Sequence, residues 1–421
     1  MSRLIDLAIE SHLLNFKHNG LNAAEDDPFF VMDLGEVTRQ HRRWRLHMPG
    51  VHPFYAVKCN SDPPLLRLLA EKGTGFDCAS VEEMRSVLGL GVDPARIIFA
   101  NPCKSASSLV FARQAGVNLT TFDNLDELET IKSYHPDCRL VLRIFAYDKD
   151  ALLNLSQKFG APEESVLSLL QRARELDLNV MGVSFHVGTG ACNAMPYLLA
   201  IQQAKGVFEQ AQKLGHRMSL LDLGGGFQDY NFEQIARSLR GALGDGFPSD
   251  TRIIAEPGRY YARSAYTLAC KVMSRRRQIG SLAKLKPDML YQNDGVYGSF
   301  MNVLIEKETI QPFLVPGSRH GSKRQSGPHC YSIWGPTCDS VDCVVNQTII
   351  ESEVKVGDWL KYKNMGATQF NGFSKPRVVA YVDSESQDYQ KEASCLGIPL
   401  PVEKGCVESI TAWVAQESLK A

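Results

Sequence analysis

The sequence predicts an α/β protein in two parts, an N-terminal (β/α)8 TIM-like barrel followed by a C-terminal all-β domain. Eight short β-rich runs alternate with helical segments between about residues 50 and 260. Reactive side chains and glycines stand where these runs end, and the carboxyl ends of barrel strands are where this architecture carries its chemistry. Beyond residue 262 the pattern changes to short β-rich runs joined by turns.

Each barrel strand is predicted from one of the β-rich runs. The eight runs end near Lys58, Cys78, Ala100, Phe122, Arg143, His186, Asp222 and Glu256. The segments between them, such as PPLLRLLAEKG and VEEMRSVLGLG, carry apolar residues at helical spacing and finish in glycine. Eight strand–helix units in succession indicate a parallel barrel.

The all-β domain is predicted from the runs YTLACKVM, DMLYQ, YSIWG, DCVVNQTII, DWLKYKNMG and RVVAYVD. A further run, FFVMDL, precedes the barrel at residues 29–34 and is expected to pair into the same domain. We therefore predict a segment 1–34 that contributes to the β domain, a barrel over 35–262 and a β domain over 263–421.

Composition narrows the possible partners and compartments. The 421 residues are 44% hydrophobic and 22% charged, as in an ordinary globular protein, and a net charge of -1 does not favour nucleic acid as a partner. No run of 18 apolar residues and no signal peptide is recognised, so no membrane association is expected. The eleven cysteines form no CxxC pair, which predicts a reducing, cytoplasmic location and no metal site.

The strand ends of the barrel carry candidate reactive groups. An amine in a partly desolvated barrel mouth, such as that of Lys58, is expected to have a lowered pKa and to attack carbonyl carbons; a plain surface lysine is the alternative. The turns HVGTG (residues 186–190) and LGGGF (223–227) follow strands six and seven. Their backbone N–H groups suit phosphate, although glycines also form plain tight turns.

Two other motifs carry charged or nucleophilic groups. In EPGRYY (residues 256–261), Glu256 suits a cationic ring nitrogen and Arg259 suits phosphate; a structural ion pair is the alternative. His186 suits stacking on a planar ring, or is a structural histidine. In WGPTCDSVD (residues 334–342), Cys338 is suited to donating a proton and Asp339 to binding a cationic substrate group. The alternatives are that Cys338 is a buried structural thiol and that Asp339 is a carboxylate that stabilises a turn.

Taken together, these motifs resemble the eukaryotic ornithine decarboxylases, pyridoxal 5'-phosphate enzymes of the alanine-racemase-like fold. The resemblance extends over nearly the whole chain and also rests on PFYAVKCN, GTGFDCAS, ANPCK, KFGA, NDGVYGSF and VGDW. It implies decarboxylation of L-ornithine to putrescine, a step of polyamine biosynthesis, with pyridoxal phosphate as the cofactor.

The resemblance implies a role for each matching position in the barrel. Lys58 matches the lysine that binds the cofactor covalently, His186 the residue stacked on its ring and Glu256 the partner of its ring nitrogen. The phosphate-binding positions are matched by Thr189, Gly225, Gly226 and Arg259. The family's residues around the active lysine are matched by Asp77, Glu83 and Arg143.

The β domain is implied to complete the site of a second subunit. Cys338 matches the residue that reaches across a homodimer interface and governs protonation after carbon dioxide leaves. Asp339 matches the carboxylate that binds the substrate's distal ammonium group. A homodimer with shared active sites, and a regulator of the antizyme type, are the partners that the resemblance implies.

The chain departs from the family pattern around the substrate pocket. NMGATQFNGF (residues 364–373) lacks about six residues, including a tyrosine that contacts the cofactor phosphate, while Phe370 still matches the pocket phenylalanine. Ile305 and Glu306 stand where the family has Tyr-Asp, so Glu306 is the expected second carboxylate for the distal amine. GGGFQD replaces GGGFPG, and CDSVD replaces CDGLD.

These departures leave three alternatives open. In the first alternative, the substrate is L-lysine or another basic amino acid instead of ornithine. The enzyme is a paralogue that feeds putrescine into specialised metabolism, such as a fungal loline-type alkaloid pathway. Or the chain is a non-catalytic homologue that resembles the antizyme inhibitors, although it retains the whole set of reactive residues named above.

Overall fold

The computed structural model describes residues 2–19, 27–146, 158–244, 246–279, 286–315, 325–367 and 376–385. The chain divides into two compact units, Gln40–Tyr261 in one and Met1–Arg39 with Ala262–Ala421 in the other. The sequence places these divisions after residues 34 and 262. These bounds stay a prediction; the compact units divide after Arg39, within the helix Leu34–His47, and after Tyr261.

The described residues contain sixteen strands and eleven α-helices. In chain order the strands are β1 (Phe29–Asp33), β2 (Val51–Ala56), β3 (Gly75–Cys78), β4 (Ile97–Phe99), β5 (Leu119–Phe122), β6 (Arg139–Arg143), β7 (Asn179–Ser184), β8 (Leu220–Asp222), β9 (Arg252–Ala255), β10 (Tyr266–Arg276), β11 (Asp288–Gln292), β12 (Pro312–Leu314), β13 (Ser326–Trp334), β14 (Cys343–Ser352), β15 (Trp359–Tyr362) and β16 (Val378–Val382). The helices are α1 (Ser2–Asn19), α2 (Leu34–His47), α3 (Pro63–Glu71), α4 (Val81–Leu88), α5 (Ala106–Gln114), α6 (Leu125–Tyr134), α7 (Glu163–Glu175), α8 (Met195–Lys213), α9 (Phe232–Leu243), α10 (Arg259–Ala262) and α11 (Met301–Ile305).

Strands β2–β9 form the predicted barrel. Each pairs in parallel with the next, and β9 pairs with β2 to close the sheet. The interior is filled by apolar side chains from different strands, including Phe54, Ile98, Val141 and Ile254. Burying this surface favours closure, and it leaves the strand ends as the places where polar chemistry is accessible.

The helices around the barrel begin at residues whose side chains satisfy free backbone N–H groups. Ser80 accepts a hydrogen bond from the N–H of Glu83, Ser105 from that of Ser108, and Asn124 from that of Glu127. Such caps each stabilise a helix by about 1 kcal/mol. They define where each helix starts after its strand, which fixes the length of the connecting turn.

The other unit is built on a sheet with the order β12-β15-β10-β11-β13-β14, and β1 pairs with β10 and with β16. All six runs predicted for this domain lie on its strands. Helices α1 and α11 and strand β12 are not predicted by the sequence analysis. Helix α1 contributes Leu4 and Ile9 to an apolar cluster with Phe29 and Trp359, so an amphipathic helix covers part of the sheet. Among the described residues, no helix combines the length and the apolar character needed to cross a membrane.

Candidate active site

Lys58 lies just beyond the end of the first barrel strand. Strand β2 ends at Ala56, and Lys58 sits in a single 3-10 turn, Val57–Cys59. Its Nζ atom is 2.5 Å from Oδ2 of Asp77, which lies on the neighbouring strand β3. The Asp77 side chain is fully buried, whereas 20% of the lysine side chain is exposed. The amine is therefore held in an ion pair at the carboxyl end of the barrel.

This ion pair corrects the expectation that Lys58 has a lowered pKa. Burial does lower the pKa of the amine, but the carboxylates of Asp77 and Glu256 outweigh that effect and hold it above its ordinary value. In the protein without a ligand, Lys58 is consequently an ammonium ion. It becomes a nucleophile only when its proton is removed and its carboxylate partners are neutralised or redirected.

Three carboxyl groups converge on the same end of the barrel: Asp77 on β3, Asp222 at the end of β8 and Glu256 just after β9. All three are buried. Burial and the neighbouring carboxylates raise the pKa of Glu256 well above its ordinary value, and burial raises that of Asp222 to about 6. Asp222 was not recognised from the sequence as a functional residue, because an aspartate at a strand end has no distinguishing signal.

His186 lies two residues beyond β7 and is neutral. Burial, followed by the positive charges of Arg143 and Lys58, holds the pKa of its imidazole well below the ordinary value. Its Nδ1 accepts a hydrogen bond from the N–H of Gly188 at 3.1 Å. A side chain at Gly225 would approach Nε2 of His186 to 2.6 Å. The imidazole therefore packs against the glycine turn as an uncharged flat ring.

Arg143 and Glu83, which the resemblance implies to lie around the active lysine, act electrostatically on this group of residues: Glu83 on Lys58, and Asp77 and Glu256 on Arg143. Arg143 ends β6, and its guanidinium lies 5.3 Å from the centre of the Phe159 ring. Glu83 accepts a hydrogen bond from the N–H of Ala79 at 2.7 Å. Burial raises the pKa of Glu83 to about 7. Arg143 therefore adds a positive charge to the site, and Glu83 adds a carboxyl group that titrates near neutral pH.

The glycine turn after β8 is fixed by its own hydrogen bonds. The Gly224 N–H donates to Oδ1 of Asp222 at 2.9 Å, and the carbonyl of Gly225 accepts from the Tyr197 hydroxyl at 2.9 Å. Within the described residues, the N–H groups of Gly225 and Gly226 donate no hydrogen bond. Two unpaired backbone donors in one turn suit a phosphate group.

Thr189 and Arg259, the other predicted phosphate ligands, belong to the same unit. Thr189 follows β7 and Arg259 begins the short helix α10 after β9, and both are partly buried. Their contacts with phosphate stay predictions.

Cys338 and Asp339 lie in the β unit, on an exposed turn between β13 and β14. The hydroxyl of Tyr297 donates a hydrogen bond to Oδ2 of Asp339, which holds the pKa of that carboxyl below its ordinary value. The N–H of Val341 donates to Oδ1 of the same residue at 3.0 Å. Both carboxylate oxygens of Asp339 are thus oriented by the protein. The sequence motif gave no indication of Tyr297.

Asp342 stabilises the turn between β13 and β14. It is buried, and its Oδ1 accepts from the N–H of Val296 at 2.8 Å while its Oδ2 accepts from the Thr337 hydroxyl at 2.7 Å. A side chain at Gly295 or Gly335 would overlap the Asp342 carboxylate. One carboxylate therefore ties the NDGVYGSF and TCDSVD segments together.

The other predicted substrate residues have different outcomes. Glu306 is buried at the end of α11, whereas its neighbour Ile305 is 48% exposed. Phe370 and the shortened part of the NMGATQFNGF segment lie outside the described residues. Their roles in the substrate pocket stay predictions.

Comparison with known proteins places this geometry in a family. Residues 34–263 match the model of the pyridoxal-dependent decarboxylase family, in its pyridoxal-binding domain. The chain belongs to the pyridoxal-dependent decarboxylases. It is 47% identical over 396 residues to the ornithine decarboxylase of Neurospora crassa, a match that covers 86% of this chain and 82% of the relative.

Solved structures of other decarboxylases share the fold. The arginine decarboxylase of Paramecium bursaria Chlorella virus, bound to agmatine, superposes with a TM-score of 0.81 at 34% identity, over 90% of this chain and all of the viral one. The lysine/ornithine decarboxylase of Vibrio vulnificus, complexed with putrescine, has a TM-score of 0.76 at 27% identity, over 89% and 97% of the two chains. The decarboxylase described here therefore combines the family's barrel with its β domain.

The residues of the barrel unit fit pyridoxal phosphate. Among the described residues, the buried polar atoms without a hydrogen-bond partner include one each at the ends of β3, β7 and β8: Oδ1 of Asp77, Oγ of Ser184 and Oδ2 of Asp222. Buried polar groups are rarely left unpaired without a functional reason. The site offers one partner for each part of the cofactor. The amine suits its aldehyde and the buried carboxyl group its ring nitrogen. The neutral imidazole suits its aromatic ring, and the free backbone donors suit its phosphate. The decarboxylase is therefore a pyridoxal phosphate enzyme.

Proposed function

We propose that this enzyme decarboxylates L-ornithine and releases putrescine and carbon dioxide. This proposal rests on the site around Lys58, where the amine, three buried carboxyl groups and a neutral imidazole converge at the end of one barrel. The substrate is inferred from the similarity to ornithine decarboxylases and from Asp339, whose two oxygens are oriented for a cation such as the distal ammonium group.

The barrel residues would hold the cofactor. Lys58 would bind its aldehyde, Glu256 its ring nitrogen, and His186 the face of its ring. The N–H groups of Gly225 and Gly226, with Thr189 and Arg259, would bind its phosphate. When bound, pyridoxal phosphate supplies the electron sink for the bond that breaks as carbon dioxide leaves.

The remaining steps are proton transfers and charge recognition by the protein. Asp77 holds the Lys58 amine in place, since the two groups are already in contact. The neutral His186 excludes water from one side of the site without adding charge. The Cys338 thiol would donate a proton to the α-carbon after carbon dioxide leaves. Asp339 would bind the distal ammonium and set the substrate's length.

We also propose that Cys338 and Asp339 act in the site of a second subunit. The turn that carries them is exposed, and so are the apolar parts of Tyr297 and Val341 beside it, which are 58% and 49% exposed. Exposed aromatic and aliphatic groups around a functional motif are typical of an interface. Mixing Lys58→Ala with Cys338→Ala subunits should restore part of the activity, and no recovery in proven mixed dimers would contradict a shared site.

We propose a cytoplasmic enzyme because the described cysteines are free thiols. An antizyme-type regulator is proposed from the family resemblance alone, and co-elution of the purified pair would test it.

The test of the proposed reaction is release of carbon dioxide from L-ornithine, with L-lysine in parallel, with and without added pyridoxal phosphate. Cofactor-dependent release from ornithine is expected, and it should vanish in Lys58→Ala but persist in Lys72→Ala, a change of an exposed lysine. Faster release from lysine would favour the second candidate, a lysine decarboxylase, and would identify Ile305 and Glu306 as the altered residues. No release from either by a folded dimer would favour the non-catalytic homologue.

A further inference from the structure

A chain of two hydrogen bonds joins Asp222 to Glu256. Oδ1 of Asp222 accepts from the N–H of Gly224 at 2.9 Å, and the carbonyl of Gly224 accepts from the N–H of Glu256 at 2.7 Å. Asp222 is fully buried, so no water competes for the first of these bonds. Three residues from two neighbouring strands are therefore fixed relative to one another through a single glycine.

Gly224 cannot move away from this position without losing the connection. Its φ of 61° lies in the left-handed region, and a side chain there would overlap the carbonyl oxygen of Phe185. The residue is held between the end of β7 on one side and the Asp222 carboxylate on the other. A carboxylate that anchors such a turn also sets the positions of Gly225 and Gly226, which follow directly.

Glu256 is the neighbouring carboxyl group. Oδ2 of Asp222 is buried and accepts no hydrogen bond from the described residues. Burial and the negative charge of Asp222 raise the pKa of Glu256. Two neighbouring buried carboxyl groups favour holding one proton between them, because two adjacent negative charges repel each other in a low dielectric. The surrounding charges are those of Asp77, Lys58 and Arg143.

We propose that Asp222 is a positioning residue for the cofactor. It fixes the glycine turn and Glu256 relative to each other, and so would set the spacing between the phosphate donors and the ring-nitrogen partner. The inference rests on the proposed roles of Glu256 and the glycine turn, and it adds a residue to which the sequence motifs assign no role. Asp222 itself would contact neither end of the cofactor; it would act through Gly224 and Glu256.

The substitutions separate the two connections that Asp222 makes. Asp222→Ala removes both the acceptor for Gly224 and the contact with Glu256. Asp222→Asn keeps an acceptor oxygen of the same shape but removes the shared proton. Asp250→Ala is the matched control, since that aspartate belongs to the same unit and its side chain is 63% exposed.

The experiment measures the dissociation constant of pyridoxal phosphate for the cofactor-stripped dimer by tryptophan fluorescence. Asp222→Ala should weaken binding at least tenfold, while Asp222→Asn should stay within about threefold and the control should match the wild type. In a double-variant cycle, Asp222→Ala should lose part of its effect once Glu256→Ala is present, because it acts partly through that residue and partly through the glycine turn.

Each result has one meaning. Wild-type affinity in folded Asp222→Ala, or effects that simply add to those of Glu256→Ala, would overturn the positioning role and leave the proposed reaction intact. Failure of the wild type to bind pyridoxal phosphate would instead overturn the proposed function. If Asp222→Ala does not fold, the pH profile of Asp222→Asn decides: the dependence of affinity on pH near 6 should flatten relative to the wild type, and an unchanged profile would contradict the inference.

Discussion

The ammonium of Lys104 lies 2.9 Å from the carboxylate of Glu127, and this ion pair is almost wholly buried. The amine also donates to the carbonyls of Asn101 and Thr121 at 2.8 and 2.7 Å. The amine thus combines one ion pair with two hydrogen bonds to backbone carbonyls. The pair connects the ends of β4 and β5 to the start of α6, and its role is to hold the barrel rim rather than to react.

Removing one partner of this pair should destabilise the barrel. Lys104→Met leaves the Glu127 carboxylate buried without its counter-ion, and such changes cost about 3–5 kcal/mol. Arg113→Met is the control, because its ion pair with Asp137 is largely exposed and such pairs contribute about 0–1 kcal/mol. Urea unfolding of the two variants should show this difference. Equal, small losses would mean that the buried pair is not a structural anchor.

The charge state of Lys58 gives a second prediction. Only a neutral amine reacts with an acylating reagent, and the pKa of Lys58 is raised by Asp77 and Glu256 against the opposing effect of burial. In stripped protein at pH 8, Asp77→Asn should therefore speed acylation of Lys58, because it removes the nearest negative charge. The rate is measured by mass spectrometry of the labelled peptide.

The control for that measurement is Asp93→Asn, which changes an exposed carboxylate in the same unit. It should leave the acylation rate of Lys58 at the wild-type value. Slower labelling in Asp77→Asn would show that the ion pair does not suppress the nucleophile.

Much of this site was predictable because strand ends and motifs are local features of a sequence. The runs that end near Lys58, Asp222 and Glu256 have the β-rich composition of barrel strands, and closure brings their ends together. The direction of the Lys58 pKa shift was not predictable, because it depends on Asp77 from another strand at 2.5 Å. The hydrogen bond from Tyr297 to Asp339 was not predictable for the same reason, because it joins residues that are far apart in sequence.

Asp222 should make the stability of the stripped protein depend on pH. Burial raises its pKa to about 6 in the folded state, above the unfolded value of 3.8. The resulting stability is present below the unfolded pKa and is lost as the pH rises through the folded one. Asp222→Asn cannot titrate, so relative to the wild type it should gain on the order of 1–3 kcal/mol between pH 4 and pH 7.

This gain is measured as the difference between the two proteins in urea unfolding at each pH, which cancels the other titrating groups. A gain in stability on removing the titratable group is the expected pattern for a carboxyl group that burial destabilises in its charged form. Parallel curves for the two proteins would show that Asp222 is not destabilised by burial.

The hydrogen bond from Tyr297 to Asp339 predicts an effect on substrate binding more than on turnover. Tyr297→Phe keeps the ring but releases one oxygen of the carboxylate, so Asp339 is less firmly held for the distal ammonium. Loss of this one hydrogen bond, on an exposed turn, should raise KM by a few-fold. The value of kcat should change less, because the reacting carbon is remote from this carboxylate. Tyr134→Phe, at a tyrosine 43% exposed on the barrel unit, is the control and should alter neither constant. A fall in kcat at unchanged KM would instead place Tyr297 in the proton-transfer step with Cys338, since only a group acting after substrate binding would produce that split.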